Sequence, residues 1–403
     1  MSLQRHRVAL LGAGGFATTA HLPAIAATQH LHLVAVYSRS SSSVQSLVQA
    51  AKKYSSTAHD LAVYSDEDGG LDRLLARDDV DSVVLALPIS AQPAIIEKAW
   101  RAGKSVISEK PLAPSISEAR RLISLSSDSS FPPLSGPKSS RPRWFVAEQF
   151  PYTPSFDRAA RLVRSGRIGR VQSFNVDIYI QIPKPEGANN WRKVPDYQGG
   201  FILDGGVHFA AALRHILPSP IVSISAVVRQ LQPHLPPIDT LQALVTCEDG
   251  TIGSVSISFG LARPSEDKRY IFRGEKGTVE VDFGDKRTHV VKLVSMPSAN
   301  APASGQDAEE RAQDSCGEEG QPEEPQKLEM EFPAQVGVEN EFEAFGKVYD
   351  GAEVDTAEVL RRCGPRATLR DLAFIEAAIK SSEEKRQVSL RELIGDALWD
   401  IGA

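Results

Sequence analysis

Three side chains in the sequence have the types and spacing to move a proton. Asp204 and His208 stand four residues apart, so on a helix they share one face. The imidazole of His208 can give or take a proton near neutral pH. Asp204 can orient that ring or hydrogen-bond a substrate. Followed by Gly205-Gly206, it also fits the cap of a helix carrying an ordinary buried histidine. Lys110 precedes Pro111, which biases it toward extended backbone. An amine there, tuned by desolvation or a neighbouring charge, can hydrogen-bond a substrate oxygen and share its proton. The plainer reading is a solvated lysine in a loop. Glu109 beside it suits cofactor binding or positioning better than base chemistry.

A second group of residues suits phosphate. Gly12-Ala13-Gly14-Gly15-Phe16-Ala17 fits G-x-G-x-x-(G/A) between a strand and a helix. Gly12 permits the tight turn, Gly14 lets backbone approach a pyrophosphate, and Ala17 keeps the helix close to the strand. The helix that opens around Gly15 and Phe16 offers N–H groups and the positive end of its dipole. The next strand ends in Tyr37-Ser38-Arg39-Ser40, with no acid to hold a ribose 2′-hydroxyl. Arg39 with the hydroxyls of Ser38 and Ser40 suits a 2′-phosphate, so NADP(H) is favoured over NAD, with dual use open. The plain reading of Arg39 is a solvated loop charge. Leu87 and Pro88 are expected against the ribose–nicotinamide side, with Gln92 just beyond. Trp191 and Arg192 precede the Asp204 helix and can reach over the cofactor. Glu148-Gln149 is expected at the same cleft edge, lining a substrate pocket. His21 packs near the loop and is given no chemistry.

These groups need strand ends and helix starts to hold them. Strands are predicted at 7–11, 31–37, 61–64, 81–87, 105–108 and 144–147. Helices are predicted between them at 21–28, 44–53, 71–77, 92–102 and 116–125. Such alternation means a doubly wound parallel sheet covered on both faces, an α/β Rossmann domain over residues 1–150. Ser126 to Arg141 reads as a surface loop before the last of these strands. A helix is expected at 156–163, and from Arg170 the pattern turns β-rich: 171–182, 221–230, 241–247, 251–259, 270–273 and 278–283, with Asp249-Gly250 as a hairpin turn. Helices return at 339–349 and 366–381. Residues 151–403 therefore read as an α+β domain with a large open, mainly antiparallel sheet. Residues 297–328, with eight acids against two bases and few aromatics, read as a disordered acidic insertion.

At Ser108-Glu109-Lys110-Pro111-Leu112 the chain resembles the Gfo/Idh/MocA oxidoreductases, whose fifth Rossmann strand ends in E-K-P. Gly199-Gly200-Phe201-Ile202-Leu203-Asp204-Gly205-Gly206-Val207-His208 is similar to the family's glycine-rich lead into a D-x-x-x-H helix. Gly274-Glu275-Lys276-Gly277-Thr278-Val279-Glu280 is similar to its late strand-turn-strand segment. The stretch from Trp191 to His208 looks most like fungal NADP-linked members. The resemblance implies an active site in the cleft between a Rossmann domain and an open sheet. It implies hydride transfer between nicotinamide and a sugar, polyol or other carbonyl/alcohol pair, and homo-oligomers assembled through the sheet face. Two positions depart from the family's habit. Ala211 stands where many members carry an Asp, and Gln92 where many carry His.

The net charge is −6, most of it in the acidic stretch, which argues against a nucleic-acid binder. No apolar run approaches the ~18 residues of a membrane span, and the N-terminal run is broken by glycines, so no signal peptide is expected. Three scattered cysteines, Cys247, Cys316 and Cys363, argue against disulfides and a cysteine zinc site, and no metal is expected. The expected setting is the cytoplasm, with the nucleus open. The leading reading is an NADP(H)-dependent oxidoreductase acting on a small carbonyl or alcohol. A dinucleotide-sensing protein without turnover is the alternative. A redox-neutral enzyme recycling tightly held NAD is disfavoured by Arg39.

Overall fold

The structure, a computed structural model, describes residues 5–54, 60–128, 130–131, 144–184, 191–263, 267–296, 324–352 and 354–400. Strands β1 (His6–Leu11), β2 (Leu31–Tyr37), β3 (Ala62–Tyr64), β4 (Ser82–Leu85), β5 (Ser105–Glu109) and β6 (Trp144–Ala147) form the first sheet. Their order is β3-β2-β1-β4-β5-β6 and every pairing is parallel. β4 and β6 are buried along their whole length, as strands covered on both faces must be. Helices α1 (Leu22–Ala27), α2 (Ser41–Ala51), α3 (Gly70–Leu75), α4 (Gln92–Arg101) and α5 (Ile116–Ser126) connect them. The hydroxyls of Ser40 and Ser115 cap α2 and α5 by accepting N–H bonds from Ser43 and Glu118. The strand order reverses between β1 and β4, and ligands of such sheets bind beyond the carboxyl ends of the strands at that point.

After α6 (Pro154–Arg164), strand β7 (Val171–Tyr179) and helix α7 (Gly200–Ile216) begin the second unit. Its further strands are β8 (Ile221–Arg229), β9 (Thr240–Cys247), β10 (Ile252–Ser258), β11 (Lys268–Gly274), β12 (Gly277–Asp282), β13 (Thr288–Ser295) and β14 (Gln326–Pro333). Helices α8 (Gly337–Asp350), α9 (Thr356–Cys363) and α10 (Pro365–Glu384) follow, then β15 (Val388–Ser389), α11 (Leu390–Ile394) and α12 (Asp396–Trp399). The sheet runs β14-β13-β12-β11-β7-β10-β9-β8-β15. It is antiparallel except between β7 and β10, which lie parallel in its middle, so it is mixed rather than purely antiparallel. The hairpin predicted at Asp249-Gly250 joins β9 to β10, with Gly250 at φ 88°. Helices α6, α7 and α10 cover one face and share a core with the inward residues of the sheet.

Strands β13 and β15 and helices α9, α11 and α12 lie outside the predicted elements, and two further features depart from the sequence expectations. Residues 326–328 lie in β14, not in a disordered insertion; residues 297–323 lie outside the described residues, as does most of the 126–141 loop. Strand β14 alternates apolar and acidic residues, and Leu328, Met330 and Phe332 turn toward the core. The chain also returns to the first sheet. Phe342, Phe345 and Tyr349 of α8 join its core, with Phe345 stacked on Phe145 of β6 at 4.8 Å. Among the described residues no helix is long and apolar enough to cross a membrane.

Candidate active site

The glycine loop leaves β1 at Leu11. Gly12 has φ 113°, and a Cβ there would stand 2.2 Å from the Ala86 carbonyl oxygen at the end of β4. Only glycine fits where the two central strands end side by side. At Gly14 and Gly15 a Cβ would meet nothing within 4 Å, so the loop's outer side is an open cradle. Ala17 is buried where the helical turn settles on the sheet, and Phe16 is exposed. That turn, Ala17–His21, is a π-turn running into α1, a local irregularity common at functional sites.

At the end of β2, Arg39 is exposed, and the Ser38 N–H donates to the Tyr64 carbonyl. Ser40 spends its hydroxyl on capping α2. An acid unseen in the local sequence also reaches this edge. Glu67 accepts from the Ser41 hydroxyl at 2.6 Å and from the Ser41 N–H at 3.4 Å. These bonds hold its carboxyl below the usual carboxylate range.

Leu87 and Pro88 follow β4 at the reversal point, with the Leu87 side chain against Gly12. Gln92 opens α4, buried, and neither end of its amide has a hydrogen-bond partner among the described residues. Glu109 ends β5 and meets the buried His21 ring at 2.8 Å, so strand end and loop helix are tied together.

Next to Glu109, Lys110 crosses to α7. Its Nζ donates to the Asp204 carboxylate at 3.0 Å and to the Asp204 backbone carbonyl at 2.7 Å. The Nε of Arg192 donates to the other carboxylate oxygen of Asp204 at 2.6 Å. Burial alone would raise the Asp204 carboxyl, but Lys110 and Arg192 outweigh it and bring it down to about 2. Asp204 is therefore an anion clamped between two cations. It lies within α7, whose cap is Gly199, so the capping role open in the sequence is corrected. Arg192 sits on Asp204, in the turn Trp191–Lys193; of Trp191 only this backbone turn is described.

Asp204 does not orient His208. The His208 Nδ1 lies 2.8 and 2.9 Å from the two oxygens of Glu148, the residue after β6. Its ring stacks on Phe150 at 4.7 Å between centroids and 12° between planes. Glu148 is buried, yet His208, the Phe150 N–H and Lys110 together hold its carboxyl below the usual range against that burial. Ala211, where an acid was noted as missing, is buried and apolar. Behind the site, Glu341 of α8 is buried without a partner for its Oε2 among the described residues. Burial, then the charges of Glu109 and Glu148, push its carboxyl well above the usual range, so it is neutral.

Lys110, Asp204, His208 and Arg192 are thus brought together; Ser38, Arg39 and Ser40 stand at the far end of the same sheet edge. Sequence reasoning missed Glu148 as the partner of His208, and Glu67. Glu148 had a local signal, an acid one residue past a predicted strand. Glu67 had none.

A cradle at the reversal point of a parallel sheet and a Lys–Asp–His cluster facing it define a dinucleotide-dependent oxidoreductase. Comparison with known proteins agrees. Residues 6–130 match the oxidoreductase family with an NAD-binding Rossmann fold, and residues 156–280 match the GFO/IDH/MocA C-terminal domain. The chain is 35% identical over 384 residues to Dehydrogenase FPY6 of Fusarium mangiferae, spanning 93% of this chain and 96% of that one. An oxidoreductase from Thermotoga maritima superposes with a TM-score of 0.73 at 29% identity, covering 97% of this chain and all of that one. KijD10, a 3-ketoreductase from Actinomadura kijaniata solved with NADP and TDP-benzene, shares the fold with a TM-score of 0.68 at 21% identity, covering 94% and 98%. The chain belongs to the Gfo/Idh/MocA oxidoreductase family.

Proposed function

We propose that the chain is an NADP(H)-dependent oxidoreductase that interconverts a carbonyl and an alcohol on a sugar, polyol or small aldehyde or ketone. The observation that carries this reading is the clamp of Lys110 on Asp204 with His208 one helical turn further along α7. In this reading residues 1–150 bind the dinucleotide and residues 151–403 supply the substrate wall, with α8 returning to brace the first sheet.

The residues present fit a dinucleotide. Gly14 and Gly15 leave a cradle that side chains would fill, Gly12 lets the loop turn close over β4, and the amide of Gln92 at the same sheet end has no partner among the described residues. Phe16, Ala17, Leu87, Pro88 and Glu109 would flank the pyrophosphate and nicotinamide halves, with Trp191 and Arg192 near them. Arg39 and the Ser38 hydroxyl would receive a 2′-phosphate, with Ser40 held to its cap of α2, a preference that the NADP held by KijD10 supports. Nicotinamide, when bound, gives or takes a hydride at the substrate carbon. Asp204, kept anionic, holds the Lys110 ammonium in place by two of its three donors, so the remaining one can bind the substrate oxygen. His208 gives or takes the proton at that oxygen. The second sheet is the surface through which copies would pair: Val227, Leu244 and Ile252 stand exposed on β8, β9 and β10. A reducing compartment, the cytoplasm or nucleus, suits the buried thiols of Cys247 and Cys363.

The test is turnover set against binding. Lys110→Ala and His208→Ala should each lower kcat by ~100-fold or more while NADPH still binds in fluorescence titration. Full activity in both variants would overturn the assignment.

A further inference from the structure

We infer that Glu148 is the positioning residue of His208: it holds the imidazole with the proton on Nδ1 and leaves Nε2 as the nitrogen that meets the substrate. The inference rests on the function proposed above and names the group that makes its acid/base usable. Three observations carry it. First, both Glu148 oxygens lie within hydrogen-bond distance of Nδ1, at 2.8 and 2.9 Å, and one also accepts the Phe150 N–H at 3.1 Å. A buried carboxylate so surrounded has no proton to offer, so Nδ1 is the donor. Second, Nε2 has no hydrogen-bond partner among the described residues, and the side chain keeps 16% of its surface exposed while Glu148 keeps 2%. The carboxylate is buried, while the ring that it holds stays partly exposed. Third, the other acid on the same face of α7 is engaged elsewhere: Asp204 holds Lys110 and Arg192. The stack of His208 on Phe150, two residues after Glu148, fixes the ring plane, so one short segment beyond β6 sets both tautomer and tilt.

The experiment is nitrogen NMR on the full chain with isotope-labelled histidine, at a pH where the imidazole is neutral. The His208 signals are identified by their loss in His208→Ala. The wild type is expected to show Nδ1 protonated and Nε2 bare. Glu148→Ala is expected to move the proton to Nε2, the form favoured by a free imidazole, and to lower kcat by ~100-fold with NADPH affinity unchanged. Glu148→Gln keeps the shape, but its oxygen accepts the Phe150 N–H and its amide N–H is turned toward Nδ1, so it should likewise move the proton to Nε2 and lower kcat by ~100-fold or more. A wild-type spectrum with the proton on Nε2 overturns the inference whether or not the variants fold. So does a Glu148→Ala protein that binds NADPH and keeps wild-type kcat. A fully active His208→Ala strikes instead at the proposed function, because it removes the acid/base role while leaving the tautomer measurement intact.

Discussion

At the scale of single residues, the site is a set of charges that hold one another in defined states. Asp204 is ionised because two cations grip it, Glu148 because an imidazole and a backbone N–H do, and Glu341 is neutral because it is buried facing other acids. The same logic governs cofactor choice at the end of β2. Arg39 would attract a 2′-phosphate, whereas Glu67, bound to the first residue of α2, would repel it. Arg39→Ala should therefore weaken NADPH by ~10-fold relative to NADH, and Glu67→Gln should shift the ratio the other way by several-fold. Calorimetric titration of both cofactors into both variants checks this; unchanged ratios would contradict it. Lys110, Asp204 and His208 stand out in the sequence because each lies in a short local pattern, and the structure brings the first two into contact, with the third on the same helix. The Glu148–His208 pair does not, because the two residues are 60 apart and are joined by the packing of the segment after β6 against α7. The role first open to Asp204, orienting the ring, falls to Glu148 for the same reason.

At the scale of elements, the parallel strands announced themselves by apolar runs between glycine and polar punctuation, and their predicted bounds differ from the observed ones by a residue or two. What the local pattern could not show was pairing. The parallel contact of β7 with β10 depends on a chain crossing of some eighty residues, during which α7 is inserted. Strand β14 was hidden because its acids, Glu329 and Glu331, alternate with the residues that pack inward and blend into the acidic stretch before it. The glycine loop gives the sharpest element-scale prediction. Gly12→Ala must place a methyl group 2.2 Å from a backbone oxygen at a positive φ. The strained backbone alone should cost ~1–3 kcal/mol, and the shift of β1 against β4 should abolish NADPH binding. Thermal melting with and without NADPH checks it: the variant should melt earlier and gain nothing from the cofactor. Wild-type melting with normal cofactor stabilisation would contradict it.

At the scale of the whole molecule, two buried histidines tie folding stability to pH. His215 of α7 and His289 of β13 are both held down to about 4, in each case by burial first, with nearby arginines adding to it at His215 and Lys268 at His289. The folded chain keeps both neutral down to that pH, whereas the unfolded chain protonates them near the ordinary value of 6.5. Between those values the unfolded state binds more protons, so stability should fall as pH drops, by up to ~1.4 kcal/mol per pH unit for each histidine. Denaturant unfolding across this window should show the slope, and His215→Gln with His289→Gln should flatten it; a level wild-type profile would contradict the buried neutral state. In the proposed function, the assembled molecule would bind NADPH and turn over a carbonyl. The most direct measurement is the absorbance of reduced nicotinamide while the wild-type chain meets NADPH with a panel of aldehydes, ketoses and sugar ketones, and NADP with the matching alcohols. Cofactor consumption is expected with members of that panel, and its loss in Lys110→Ala and His208→Ala. NADPH bound tightly with no turnover across the whole panel would contradict it and leave a dinucleotide sensor in its place.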